Sequence, residues 1–133
     1  MIGKASFLAL ALLAASPVSA TSLTVRMGET WIFAVDRGQP ARARKVAVSA
    51  SPARNELKVS LQPMMGTTMT ITNNSSFDYA YRALLVSPGG KAGSSKACAV
   101  PAGGRMAIEH WPKPLAAVRL SDFKRAPAGS LCP

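Results

Sequence analysis

Ionisable chemistry is scarce in this chain. It holds one histidine, His110, and six carboxylates, Glu29, Asp36, Glu56, Asp78, Glu109 and Asp122, scattered along 133 residues. Hydrolytic triads, metal-bound water and paired glycosidase carboxylates all need such groups brought together. The sequence also lacks Gly-x-Ser-x-Gly, His-Glu-x-x-His, the Walker loop and the dinucleotide fingerprint. We therefore expect no enzymatic activity and no cofactor. The few aromatic residues do not interleave with the basic ones, so a stacking platform for nucleic acid is not expected either. Beyond residue 20 no apolar run is long enough to cross a bilayer as a helix.

What is present begins with an export signal. Lys4 supplies a positive start, Phe7 to Ala15 an apolar centre, and Val18-Ser19-Ala20 a small-residue cleavage site preceded by Pro17. Retention as an anchor is the competing reading, but the apolar run is short and no stop-transfer pattern follows. The expectation is a signal peptide over 1–20 and one domain over 21–133, in a bacterial periplasm or secreted. The only cysteines, Cys98 and Cys132, lie in the exported part. An even count in an oxidising compartment predicts a disulfide, and the lack of Cys-x-x-Cys argues against a redox pair or a thiolate metal site.

Charge is strongly one-sided, with 16 Lys and Arg against 6 Asp and Glu. Losing Lys4 with the leader leaves about +9. Such a balance favours anionic partners such as lipid headgroups, acidic polysaccharide or an acidic protein surface. The densest group is Arg37, Arg42, Arg44 and Lys45, in a run whose Gly38 and Pro40 indicate a loop leading into a strand; a merely solvated loop is the plain alternative.

Short alternating runs dominate the exported part. Strands are expected at 22–26, 30–35, 44–50, 56–62, 67–72, 77–86, 105–111 and 116–122, with a brief pairing segment at 98–100. Thr30 to Val35 is apolar on both faces and should be central. Leu57, Val59 and Leu61 should point inward, with Lys58, Ser60 and Gln62 outward. Asn73-Asn74-Ser75-Ser76 reads as the turn of a central β-hairpin spanning Met69 to Val86, with Phe77, Tyr79, Tyr81, Ala83 and Leu85 on one face. The two Asn-x-Ser matches within it are taken as turn chemistry, not glycosylation. Ser87 to Lys96, rich in Gly and Ser, reads as a long loop. No helical periodicity, internal repeat or domain boundary interrupts the series. The fold class expected is all-β, an antiparallel sandwich of about 7 to 9 short strands with one disulfide.

The run I-T-N-N-S-S-F-D-Y-A-Y-R-A, followed by a Gly-rich loop, P-A-G-G and a strand with an aromatic end, resembles the middle of exported bacterial immunoglobulin-like sandwiches. The resemblance covers about half of the exported chain at the level of architecture. It implies a non-catalytic adhesion, chaperone or surface module. The cysteine spacing is not that of an antibody-type bridge, and no second domain forms a pilus-chaperone cleft. The function expected is a binding or structural module of the cell envelope, contacting an anionic component or a protein through Arg37, Arg42, Arg44, Lys45, Tyr79, Arg82 and Trp111. Trp111 beside Pro112 serves either as a binding rim or as a seal for one end of the sandwich. The alternative is a periplasmic copper(I) protein using Met65, Met69, Met106 and His110, because thioethers are soft ligands. Strand parity makes Met65 and Met69 core fillers first.

Overall fold

In the computed structural model the described residues are 21–127 and Cys132. The predicted leader, and most of the Ala126–Ser130 tail, lie outside them. Among the described residues nine strands follow one another: β1 (Leu23–Arg26), β2 (Thr30–Asp36), β3 (Gln39–Val46), β4 (Glu56–Gln62), β5 (Thr67–Asn74), β6 (Tyr79–Val86), β7 (Ala92–Ser95), β8 (Arg105–Trp111) and β9 (Ala117–Arg125). They form a four-stranded sheet in the order β1-β9-β6-β7 and a five-stranded sheet in the order β3-β2-β4-β5-β8, with every strand pair antiparallel. This is the expected antiparallel β-sandwich, with a disulfide between Cys98 and Cys132.

Alternation places the core. Leu57, Val59 and Leu61 of β4 and Met69 and Ile71 of β5 turn inward, and Phe33 joins them from β2. Val25, Tyr79, Ala83, Leu85, Val118, Leu120 and Phe123 meet them from the other sheet. Burial of this kind is worth about 1.5 to 3 kcal/mol per large apolar side chain, which offsets the ordering of the chain. Phe123 is the hub of an aromatic group: its ring centroid lies 5.5 Å from Phe33, 6.1 Å from Tyr79 and 5.5 Å from Tyr81, the last nearly parallel at 20°.

The central hairpin is not formed. β5 belongs to the five-stranded sheet and β6 to the four-stranded one, so residues 75–78 carry the chain across the sandwich. Asn73 is the reason. Its side chain is fully buried at the corner, where Nδ2 donates to Phe77 O at 2.7 Å and Val100 O at 3.1 Å. Its Oδ1 accepts from Ser75 N at 3.0 Å and Ser75 Oγ at 2.6 Å. A residue read as an exposed turn former is therefore the bracket of an inter-sheet corner.

Two expected loops are partly strand. Arg37 and Gly38, both with positive φ (53° and 81°), make a two-residue turn closed by the pair Asp36 and Gln39, so β3 starts at Gln39 and not at Arg44. Pro40 is tolerated because β3 is an edge strand. After the turn at Pro88–Lys91, Ala92–Ser95 pairs with β6 along Ala83–Val86 as β7, supplying bonds that a free edge would otherwise leave to water. At Gly66 (φ +107°) a Cβ would collide with Trp111 O and stand 2.7 Å from Lys113 N. The neighbouring Thr67 Oγ1 donates to Lys113 O at 2.9 Å and accepts from Leu115 N at 3.0 Å, clipping the β8–β9 connection beneath the β4–β5 turn.

Candidate functional site

A concavity arises from a mismatch along β6. On its outer edge β6 pairs with β7 as far as Ala83 opposite Ser95, and again at Tyr79, which exchanges both backbone bonds with Val100. Between those points the partner chain has one residue more than β6 and bows away. The other edge is irregular too: the β6–β9 register shifts between Ala80 and Arg82, and Asp122 adopts φ +55°. Together these departures open a groove of about 650 Å³ lined by Ala80 to Arg82, Ser94 to Ala97, Asp122 and Lys124.

Charge in this groove is predominantly positive. Arg82, Lys96 and Lys124 are exposed along it. Asp122 is the one carboxylate, and both its oxygens are engaged: Oδ1 accepts from Gln39 Nε2 at 2.7 Å and Oδ2 faces Arg82 Nη1 at 3.4 Å. Asp122 N also donates to Gln39 Oε1 at 3.2 Å, which ties the β9 irregularity to the β2–β3 hairpin. Arg82 keeps 71% of its side-chain surface, so its pairing leaves most of the guanidinium open to a ligand. Tyr81 lines the groove and stacks on Phe123; its buried hydroxyl has no hydrogen-bond partner among the described residues. Burial pushes its ionisation well above the usual phenol range, with the Glu109 carboxylate adding to the effect, so at neutral pH it is a donor without an acceptor.

The predicted basic site is arranged differently. Arg37 lies in the β2–β3 turn, whereas Arg42, Arg44 and Lys45 lie on β3, where the register against β2 shifts and Arg42 has φ 52°. Arg44 stands opposite Ile32 and Lys45 opposite Trp31, on alternate faces. Arg44 makes a two-pronged pair with Glu56 (2.9 and 3.2 Å), and Lys45 approaches Glu29 at 3.5 Å. The run is therefore not one loop-borne patch; Arg37 and Arg42 have no carboxylate within salt-bridge distance among the described residues.

Tyr79 and Trp111 offer a partner little surface. Both are buried, Tyr79 in the aromatic group and Trp111 with its Nε1–H on Ser95 Oγ at 3.1 Å. Trp111 seals its end of the sandwich. Of the four thioether and imidazole candidates, Met69 is fully buried on the inner face while Met106 and His110 are exposed on the other face of β8. Met65, expected in the core, is 88% exposed, because φ 48° at Met65 and the close turn at Gly66 throw it out of the strand alternation. Met106 and His110, four residues apart on one strand, are separated by about 13 Å along it. His110 Nε2 meets Met65 at its backbone O, 2.8 Å away, and not at its thioether, and Met69 lies on the inner face, so the four do not share a site.

Apart from the exposed Asp36, the carboxylates are occupied by structure. Glu29 receives Trp31 Nε1 and Arg26 N, Glu56 receives Arg44 and Ala53 N, Asp78 receives Ala102 N, and Glu109 receives Cys98 N. Among the described residues no three of His, Cys, Asp or Glu cluster to hold a metal ion. Lys96 and Lys124 were not singled out from sequence. The groove that gathers them exists only because two partners of β6 depart from its register.

No family model matches this chain, and the searches of curated proteins and of solved structures found no match either.

Proposed function

We propose that this protein is an exported, non-catalytic binding module of the cell envelope that holds an anionic group of its partner in the groove on β6. The carrying observation is the convergence of Arg82, Lys96 and Lys124 on one concavity, with a single, already engaged carboxylate, Asp122, beside them. A phosphate, sulfate or carboxylate group would bring the countercharge these cations lack. The Cys98–Cys132 disulfide fits residence in an oxidising compartment. A non-catalytic role is supported by the engagement of Glu29, Glu56, Asp78, Glu109 and Asp122 in structural bonds.

Two double variants with the same change of charge provide the test. Arg82→Glu with Lys124→Glu alters the groove, and Arg37→Glu with Arg42→Glu alters the β2–β3 hairpin. Each is applied to a sulfated polysaccharide resin and, separately, to immobilised envelope extract, and eluted with rising salt. The groove variant should elute at clearly lower salt than the hairpin variant. Equal elution of the two double variants would reduce the interaction to bulk charge and remove the groove from it.

A further inference from the structure

The four sheet edges are unequally protected. β3 carries Pro40, a register shift and the cations Arg42, Arg44 and Lys45, all of which discourage edge pairing. β1 and β7 are only four residues long. β8 is seven residues long, contains neither Pro nor Gly, and has no residue at positive φ. It terminates the five-stranded sheet, and among the described residues its main chain from Met106 to His110 bonds to nothing beyond β5. Its outer face also carries two exposed apolar side chains, Met106 at 55% and Ile108 at 62%, next to the exposed His110.

We propose that β8 is a self-association edge, at which two copies of this chain pair β8 antiparallel about Ala107 and join their five-stranded sheets into one. The sequence of the strand is complementary to itself in that register. On the outer face Met106 of each copy lies opposite Ile108 of the other, covering the exposed apolar side chains. On the opposite face Arg105 of each copy lies opposite Glu109 of the other, the only cation and the only carboxylate of the strand. Glu109 uses Oε2 for Cys98 N at 2.8 Å, which leaves Oε1 for the arginine. Directly opposed pairs of this kind, apolar or of opposite charge, are the unit of sheet stabilisation. A register centred on Ile108 would set Arg105 against Trp111 and lose both ion pairs. The second copy is thus favoured as occupant by charge and apolar complementarity at once, and the arrangement closes on a two-fold axis with no further edge of this type exposed. The edge lies on the other sheet from the groove, so this inference stands apart from the proposed function.

The test is sedimentation equilibrium of the oxidised protein from micromolar to millimolar concentration, with hydrogen exchange of backbone amides at both ends of the range. The expected result is a reversible monomer–dimer equilibrium in which β8 amides are slower to exchange only in the concentrated sample. Ile108→Lys, an exposed position, should weaken association at least about tenfold with an unchanged unfolding midpoint in dilute solution. Arg105→Glu should weaken it as well. A wild-type protein that stays monomeric throughout, a dimer that both variants form as tightly as wild type, or a dimer without concentration-dependent protection of β8 would each overturn the proposal. So would a monomeric wild type whose capture of an envelope protein is abolished by Ile108→Lys, which would assign the edge to a foreign strand.

Discussion

Replacing Asn73 by alanine removes the bracket that directs β5 and β6 into different sheets. Four hydrogen bonds are lost, yet they are not equivalent. Val100 O still receives Tyr79 N at 3.1 Å, and Phe77 O still receives Ser75 Oγ at 3.1 Å. The group left without a partner is the buried Ser75 N–H, an orphan that costs about 1 to 3 kcal/mol; the other bonds contribute roughly 0.5 to 1 kcal/mol each. The expected loss is about 3 kcal/mol, read as a fall in denaturant midpoint at constant slope, or as a drop in Tm of roughly 15 °C for a domain of this size. Asn74→Ala is the control: its Nδ2 reaches only Pro52 O at 3.0 Å from a part-buried position, and it should lose less than about 1 kcal/mol. Asn73→Asp keeps the acceptor but turns an oxygen toward two carbonyls. A buried carboxylate without a cation has a raised pKa in the folded state, so this variant should lose further stability as pH rises above the ordinary Asp value of about 4. An Asn73→Ala protein within about 1 kcal/mol of wild type would refute the corner argument, because the orphaned N–H and the other lost bonds together exceed that.

Three further outcomes follow from the same bonds and contacts. Gly66→Ala should cost several kcal/mol, because φ is +107° and the new Cβ meets the backbone of Trp111 and Lys113; a loss under about 1 kcal/mol by denaturant titration would show that the β8–β9 connection is not held as described. Reducing Cys98–Cys132, separated by 34 positions, should remove about 3 to 4 kcal/mol, checked by unfolding with and without reductant; an unchanged midpoint would mean the bridge restrains nothing. Glu29 is held below the ordinary carboxyl range of 4.5 mainly by the Trp31 indole N–H, and Glu56 mainly by Arg44. A depressed folded pKa stabilises above the unfolded value and is lost as pH falls through the folded one, so Glu29→Gln with Glu56→Gln should flatten the acid limb of stability below about pH 4.5; an unaltered limb would assign it to other groups.

Much of the fold was legible because strand signals are local. Period-two alternation found Glu56 to Gln62 and Arg105 to Trp111 at their observed bounds, and an even cysteine count found the disulfide. The site was less legible. Arg82 was singled out as a cation and does line the groove, while Tyr79 and Trp111 were read as contact residues and are buried. An aromatic at a strand end looks the same in sequence whether it faces a partner or the opposing sheet.

What the sequence by itself determined is most of the segments that extend, which of their faces are apolar, and that the two cysteines pair. Which sheet each strand joins was decided by tertiary structure alone. The tetrapeptide after Ile71 suits a hairpin turn as well as it suits an inter-sheet corner; the choice is made by Val100, 27 residues from Asn73, whose carbonyl takes the amide and whose backbone caps Tyr79. The groove has the same origin, since it opens where β7 and Val100 hold β6 at two points and the chain between them is one residue too long to follow it. Local composition cannot encode such a mismatch, because it is a relation between strands and not a property of either.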